Sequence, residues 1–155
     1  MKNLNKKAVI YARTATMDQA KCGYSIDCQI AECKKFAVDN GYTVAEVFVD
    51  AGKSGINLER SAYKEMTEYC ENNDIDVVIV WKLDRLTRNL RDYYSKIVPF
   101  LEKHGIKLLS ATESNEETIE AEFMRNIGIV FAEYERKVFY KGVAIGLKRK
   151  AEKVI

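Results

Sequence analysis

Val77-Val78-Ile79-Val80-Trp81 is an unbroken apolar run. A short run without alternation is what a strand buried on both faces needs, and such strands belong to parallel sheets covered by helices on either side. The segments around it fit that demand. Ala8 to Arg13 reads as a buried strand, and Thr43 to Val49 as a β-branched, valine-rich one. Ile106 to Ala111 makes a further strand. Ser25 is placed to cap a helix that runs to Asn40-Gly41, with Ile26, Ile30, Cys33 and Ala37 on one face and Gly41 as terminator. Ser61 is placed to cap a second helix, with Ala62, Met66, Tyr69 and Cys70 toward the core. Leu90 to His104 has helical period, ends at Gly105, and should bend at Pro99, which removes a backbone hydrogen bond. Asp50 to Leu58, with Gly52 and Gly55, reads as a mobile loop. The order β-α-β-α-β-α-β predicts an α/β fold: three layers, with a largely parallel central sheet of four to five strands.

The last third changes character. Ile119, Phe123, Ile127, Val130, Phe131, Tyr134 and Val138 form one stripe of helical period. A helix from about 119 to 150 would be far longer than the average of about 11–12 residues. A body of residues 1–118 could cover only part of it. Either a second subunit packs on the stripe or the helix continues as an arm. The plainer reading docks the stripe wholly on the chain's own sheet. Gly142 and Gly146 interrupt the end of this segment and are expected to loosen it. The unit 119–155 closes without a capping signal, so the chain is expected to be a piece of something longer.

A chain of 155 residues suits one sizeable core, and 47% apolar with 31% charged residues is ordinary for a globular protein. No stretch approaches a transmembrane span, and Met1 to Lys7 leads into a strand and not into a signal-peptide apolar region, so a cytoplasmic location is expected. Cys22, Cys28, Cys33 and Cys70 include no Cys-x-x-Cys and accompany a single histidine, which argues for free thiols and against a metal site; no cofactor is implied. The net charge is +2 overall, but Arg136, Lys137, Lys141, Lys148, Arg149, Lys150 and Lys153 stand against Glu152 alone, a local +6 that leaves about −4 for the remainder. A basic tail on a near-neutral body suggests a polyanion on one side of the molecule. A solvated lysine-rich helix end is the bland alternative.

Arginines collect where strands end. Tyr11, Arg13 and Ala15 share one face of an extended strand end, with Thr14 and Thr16 on the other. Arg85 and Arg88 come after the third strand and, three apart, would project together from a first helical turn. Adjacent strands would then gather the arginines around one small site. Like charges held close repel, and an anion offsets that repulsion; fixed guanidiniums suit a phosphate that gains charge as it reacts. Asp84 could hold one arginine by a paired contact, although an Asp-Arg dyad alone is more often a surface ion pair.

Tyr11-Ala12-Arg13, Gly23-Tyr24-Ser25-Ile26-Asp27-Cys28-Gln29, Asp50-x-Gly52-x-Ser54-Gly55, Arg60, Leu83-Asp84-Arg85-Leu86-x-Arg88 and Glu133-Tyr134-Glu135-Arg136 fall in this order along the chain. Together they resemble the catalytic domain of the serine recombinases, the resolvase/invertase family, and the Gly23-Tyr24-Ser25 stretch resembles its large branch of phage integrases and conjugative-transposon recombinases. The resemblance covers nearly the whole chain. It implies a resolvase-like fold and metal-free DNA cleavage through a 5′-phosphoserine link, with strand exchange in a tetramer assembled from dimers. On matching positions it implies that Arg13, Arg85 and Arg88 bind the scissile phosphate, with Arg60 in support. Tyr11, Gln29 and Asp84 would shape the site. Arg136, Lys141, Lys148 and Arg149 would meet DNA along the long helix, which would also form the dimer and tetramer interface.

Two departures stand out. The family's nucleophilic serine aligns with Ala15, whose methyl group cannot attack phosphorus. Thr14 and Thr16 are aimed to the other face, so the chain is expected to be unable to cleave DNA. After Arg136 the family has a further Ser-Glu-Arg step where this chain has Tyr140-Lys141-Gly142, which bears on helical continuity. Two other readings stay open: a non-catalytic oligomerisation and DNA-binding module that regulates an active relative, and an unrelated α/β protein that binds a phosphorylated ligand. No Gly-rich phosphate loop supports the last.

Overall fold

The apolar run forms β3 (Val77–Val80), every residue of which is buried, at the inside of a four-stranded sheet. In this computed structural model, residues 6–14, 25–52 and 60–153 are described, with side chains for all of these except 139, 140, 143, 144 and 147–153. The strands β1 (Lys6–Thr14), β2 (Tyr42–Ala51), β3 and β4 (Lys107–Ser110) are all parallel, in the order β2-β1-β3-β4. The two central strands, β1 and β3, are the two that the sequence makes most apolar, as burial on both faces demands.

Alternation along β1 sorts side chains between two cores. Ala8 and Ile10 join Val77 and Ile79 beneath α1 (Ile26–Asp39), whose Cys33 and Ala37 are fully buried. Val9 and Tyr11 join Val78 and Val80 on the other face, against Tyr63, Met66 and Cys70 of α2 (Ser61–Asn72). The result is helix, sheet, helix, the expected three layers. Ser25 caps α1 by accepting from the Cys28 amide at 3.3 Å, and Gly41 and Gly105 end their helices in the left-handed region, where glycine avoids a Cβ clash. The buried face of α1 is centred on Gln29, Cys33 and Ala37, with Ile26 and Ile30 only partly covered.

Two sequence expectations are corrected and one is refined. Ser61 does not cap α2; it is the first helical residue and exposed, after Arg60 at the cap position. The first-turn amides of Ala62 and Tyr63 are instead satisfied by the carboxylate of Asp50 from the end of β2, at 3.0 Å each. The helix expected from 90 to 104 is unbroken and ends at Gly105, but it is not uniform: α4 (Leu90–Asp92) passes through a π-helical segment (Tyr93–Ile97) into α5 (Val98–His104). Pro99 has no N–H to give and its ring crowds the preceding turn, so the chain widens by one residue just ahead of it. Gly142 and Gly146 do not break the last helix, α6 (Ile119–Lys153), which is continuous for 35 residues, about 50 Å at the usual rise.

Only one side of α6 docks on the body. Ala121, Ile129 and Ala132 are buried, and Ile129 joins the core that contains Leu83 and Leu86. The stripe of Phe123, Ile127, Val130, Phe131 and Tyr134 lies on the opposite side of the helix and is exposed. The reading that docks this stripe on its own sheet is therefore wrong: small residues let the other side approach more closely. Among the described residues, no helix is long and apolar enough to cross a membrane.

Candidate functional site

Parallel pairing places the C-terminal ends of β1 and β3 side by side, Tyr11 opposite Val80, so the segments leaving the two strands meet at one edge. After β3 the chain turns through α3 (Leu83–Leu86), which carries Asp84 and Arg85. Arg13 sits beside it at the end of β1. Both arginines are completely buried, and Arg60 and Arg88 nearly so.

Buried guanidiniums need acceptors, and α3 offers them. The last carbonyls of a helical turn lack intrahelical partners and carry its negative end. Arg13 Nε donates to the Arg85 carbonyl at 2.8 Å and its Nη2 to the Asp84 carbonyl. Arg60 Nη1 donates to the same Arg85 carbonyl at 3.3 Å, and its Nη2 to the Leu86 carbonyl. Arg85 Nε turns back to the Asp84 carboxylate at 2.9 Å. The dyad is thus a structural ion pair with one member wholly buried, not a surface pair.

Gln29 fixes the strand end from α1. Its Oε1 accepts from the Arg13 amide at 3.2 Å and its Nε2 donates to the Arg13 carbonyl at 2.9 Å, so one side chain satisfies both backbone groups where pairing with β3 has stopped. Tyr11 is the hinge of the other half: its hydroxyl donates to Asp50 Oδ2 at 2.8 Å and accepts from Arg60 Nη1 at 2.8 Å. The Arg60 guanidinium lies 5.5 Å from the ring centres of both Tyr11 and Tyr63. Asp50 reaches this place because a register shift between Ala8 and Val9 sets Arg13 opposite Asp50.

The crowding sets the electrostatics. Burial, then Arg85, Arg60 and Arg88, push the Arg13 guanidinium down to about 9. At Asp84, burial acts upward, but Arg85, its hydrogen bond, Arg88 and Arg13 outweigh it and hold the carboxyl below its ordinary range. Burial drives the Tyr11 phenol well above its usual value, which keeps it a hydrogen-bond donor to Asp50. Such a site attracts an anion.

Arg13, Arg60, Arg85, Arg88, Asp84, Gln29 and Tyr11 are thus brought together as expected, with one change of geometry. Arg85 and Arg88 do not share a helical turn, because α3 stops at Leu86 and Thr87 is extended. The Thr87 hydroxyl accepts from the Asn89 amide at 3.0 Å, a local turn that competes with the helix. Arg136 is partly buried on α6 and Lys141 is exposed. Ala15 and the side chains of Lys148 and Arg149 lie outside the described residues. The Thr14 hydroxyl accepts from the Gly52 amide at 3.4 Å, on the opposite side of the strand from Arg13.

Sequence reasoning does not single out Asp50 or Glu113 as site residues. Asp50 reads as a loop start; a carboxylate at a strand end shortly before a helix without a good cap is the signal that could have found it. Glu113 stands in no motif of the sequence, yet its Oε1 accepts from the Leu83 amide at 2.7 Å, at the head of the arginine-bearing turn.

The chain matches the family described as "Resolvase, N terminal domain" over residues 8–153. It is 31% identical over 144 residues to a putative DNA recombinase of Bacillus subtilis, covering 93% of this chain and 28% of that protein. It is 27% identical over 110 residues to the transposon Tn552 resolvase of Staphylococcus aureus, covering 69% of this chain and 54% of that one. Among solved structures, the N-terminal catalytic domain of TP901-1 integrase is 38% identical with a TM-score of 0.66, over 87% of this chain and all of that one. A resolvase family site-specific recombinase from Streptococcus pneumoniae is 27% identical with a TM-score of 0.60, over 95% and 99%. The chain therefore spans under a third of one curated relative and about half of another. The family match over residues 8–153, on a parallel sheet where Arg13 and Arg60 bond to the turn that bears Arg85, makes this a member of the resolvase N-terminal domain family, the catalytic-domain family of the serine recombinases.

Proposed function

We propose that this chain is the DNA-phosphate-binding catalytic domain of a site-specific recombinase whose nucleophile position is occupied by Ala15. The observation that carries the reading is the convergence of Arg13 and Arg60 on the carbonyls of Asp84, Arg85 and Leu86, which holds both guanidiniums against the turn that bears Arg85. Arg13, Arg85 and Arg88 take the scissile phosphate, and Arg60 backs them through Tyr11. Gln29 and Asp84 set the geometry. In the family's chemistry a serine oxygen bonds to phosphorus, the bond to the 3′ oxygen breaks, and that oxygen leaves with a proton. Ala15 has no lone pair to begin this, so the chain binds the phosphate without cutting. Residues 1–118 form the catalytic unit. Residues 119–155 form an arm that pairs with a second copy through the exposed stripe, meets DNA through Arg136, Lys141, Lys148 and Arg149, and permits a tetramer on DNA. This activity belongs in the cytoplasm.

The test is Ala15→Ser. In the full-length protein the variant should form a covalent adduct with cognate duplex DNA through residue 15, detected by denaturing gel and peptide mass. A folded Ala15→Ser chain that never forms the adduct would overturn the catalytic part of this reading. A regulatory module that forms mixed dimers with an active relative is the second reading, and it is supported by Ala15 together with the exposed apolar side of α6. A chain that stays monomeric at all concentrations and shifts no DNA at low salt would remove it.

A further inference from the structure

The loop between β4 and α6 makes a chain of contacts that phosphate binding alone does not call for. Ser110 ends β4, and its hydroxyl donates to the Trp81 carbonyl at 3.0 Å, just before the arginine turn. Thr112 Oγ1 donates to the same carbonyl at 2.7 Å. Asn115 closes the loop on itself: its Oδ1 accepts from the Ser110 amide and its Nδ2 donates to the Ser110 carbonyl, both at 2.8 Å. Held within this loop, Glu113 Oε1 accepts from the Leu83 amide at 2.7 Å and lies 3.1 Å from Ser110 Oγ. Leu83 is the first residue of α3, whose next two residues are Asp84 and Arg85.

The other side of the loop rests on α6. Arg125 Nη1 donates to the Ser114 carbonyl at 3.3 Å and the Glu116 carbonyl at 2.9 Å. Gly128 faces the second carboxylate oxygen: a Cβ there would lie 3.8 Å from Glu113 Oε2. Helix α6 thus holds the loop through Arg125 and passes close to it at Gly128, and the loop grips α3 at one amide and Trp81 at one carbonyl. A four-residue turn has little rigidity of its own, and an amide accepted by a charged oxygen is a strong, directional restraint.

We propose that Glu113 is a positioning residue of the arginine site, which fixes the turn bearing Asp84 and Arg85 and passes the placement of α6 on to the guanidiniums. This rests on the phosphate-site reading for its functional meaning but not for its geometry. Glu113 touches no phosphate; it acts through Leu83. Because α6 also carries the exposed face, a partner that displaces α6 at Arg125 or Gly128 alters the arginine cluster through this one carboxylate.

The experiment uses the full chain and three substitutions, read by the side-chain Nε–H resonance of Arg85 and by titration with inorganic phosphate. Glu113→Ala should move or broaden the Arg85 signal before any phosphate is added and weaken phosphate binding about tenfold, the scale of one charge-assisted hydrogen bond. Glu113→Gln keeps an oxygen for the Leu83 amide and should restore both readouts to within about twofold. Gly128→Leu, which pushes a branched side chain onto Glu113 Oε2, should reproduce the Arg85 change with Glu113 intact. An Arg85 resonance unaltered in both Glu113→Ala and Gly128→Leu overturns the inference, even where Glu113→Ala lowers Tm. Should Glu113→Ala fail to fold, Gly128→Leu against the parent chain decides alone. Phosphate that leaves all arginine signals of the parent chain unmoved would overturn the phosphate-site reading instead, while the phosphate-free Arg85 signal still judges Glu113.

Discussion

The Asp50 carboxylate accepts the Tyr11 hydroxyl at 2.8 Å and, with the same two oxygens, the amides of Ala62 and Tyr63. One side chain therefore joins the end of β2, the middle of β1 and the first turn of α2, and through Tyr11 it supports Arg60. Truncating it strands three buried donors. Asp50→Ala should cost about 2–4 kcal/mol of unfolding free energy, from a lost remote cap and unsatisfied amides. Tyr11→Phe should cost about 1–2 kcal/mol. Because the two share a bond, urea unfolding of the double variant should show a loss smaller than the sum by about 0.5–1.5 kcal/mol. Strict additivity would contradict the shared contact.

Gln29 serves the Arg13 backbone as a neighbouring strand would. Gln29→Leu keeps the volume but takes from the buried Arg13 amide its Oε1 acceptor and leaves the Arg13 carbonyl with the longer bond from Arg85 Nη1 at 3.4 Å, so it should destabilise by about 1–3 kcal/mol. The Arg13 amide should also exchange with solvent far faster than its neighbours in β1, as hydrogen-exchange NMR can read. An Arg13 amide that stays as protected as that of Ile10 would rule the clamp out.

Much of the fold and the site is legible in the sequence. The run Val77–Val80 demands two covered faces and receives them. Arginines 13, 85 and 88 can be brought together by topology alone, because parallel neighbours end at the same edge. Sequence periodicity fails where a distant atom overrides local preference. Ser61 has the right chemistry for a cap, but Asp50, adjacent only through the sheet, takes the amides. Thr87 ends α3 through a hydroxyl turn that spacing does not reveal. The three glycines of α6 weaken a helix without breaking it, because three losses of about 1 kcal/mol spread over 35 residues do not outweigh the rest. Glu113 is hidden by its setting, one carboxylate among several whose single long-range bond gives it meaning.

Those glycines yield a prediction of their own. Among the described residues, and apart from the helix's own backbone and the adjoining residues, no atom lies within 4 Å of where a Cβ would sit on Gly142 or Gly146, and neither has positive φ. Gly142→Ala and Gly146→Ala should therefore each stabilise the end of α6 by about 0.5–1 kcal/mol. Far-ultraviolet circular dichroism against temperature should show later loss of helix, and no gain in either variant would mean that this stretch of the helix is not formed in solution.

The site should respond to pH at both ends. Asp84 is held below its ordinary value of 3.8, so its pairing stabilises the fold above that pH, and the contribution is lost as pH falls toward the lower folded value. Asp84→Asn should flatten the acid side of the stability profile. Arg13 runs the other way. Its folded value of about 9 lies below the ordinary guanidinium value, so keeping it charged costs stability below pH 9, and the cost is relieved as pH rises above 9. An anion at the site reverses that preference. Sulfate, whose charge is constant in this range, should bind well at pH 7 and progressively less above pH 9, by about tenfold per unit at the limit. Sulfate affinity that is level to pH 11 would show that Arg13 keeps its proton.

The two sides of α6 should separate by mutation. Ile129 is 1% exposed and packs in the core with Leu83 and Leu86, whereas Phe131, two residues on, is 58% exposed and Phe123 is 61% exposed. Burying each large side chain of the outer stripe against a partner is worth about 1.5–3 kcal/mol, and five of them share one side of the helix. That is enough to offset the cost of association, so the chain should move from monomer to dimer as concentration rises. Ile127→Asp with Phe131→Asp should abolish the dimer while leaving Tm within a few degrees, because neither residue touches the monomer core. Ile129→Asp should do the reverse and unfold the body by burying an unpaired charge. Sedimentation velocity across a concentration series, paired with thermal unfolding, measures both. A double outer variant that still dimerises, or that melts as early as Ile129→Asp, would show that the exposed stripe is not the surface on which two copies meet.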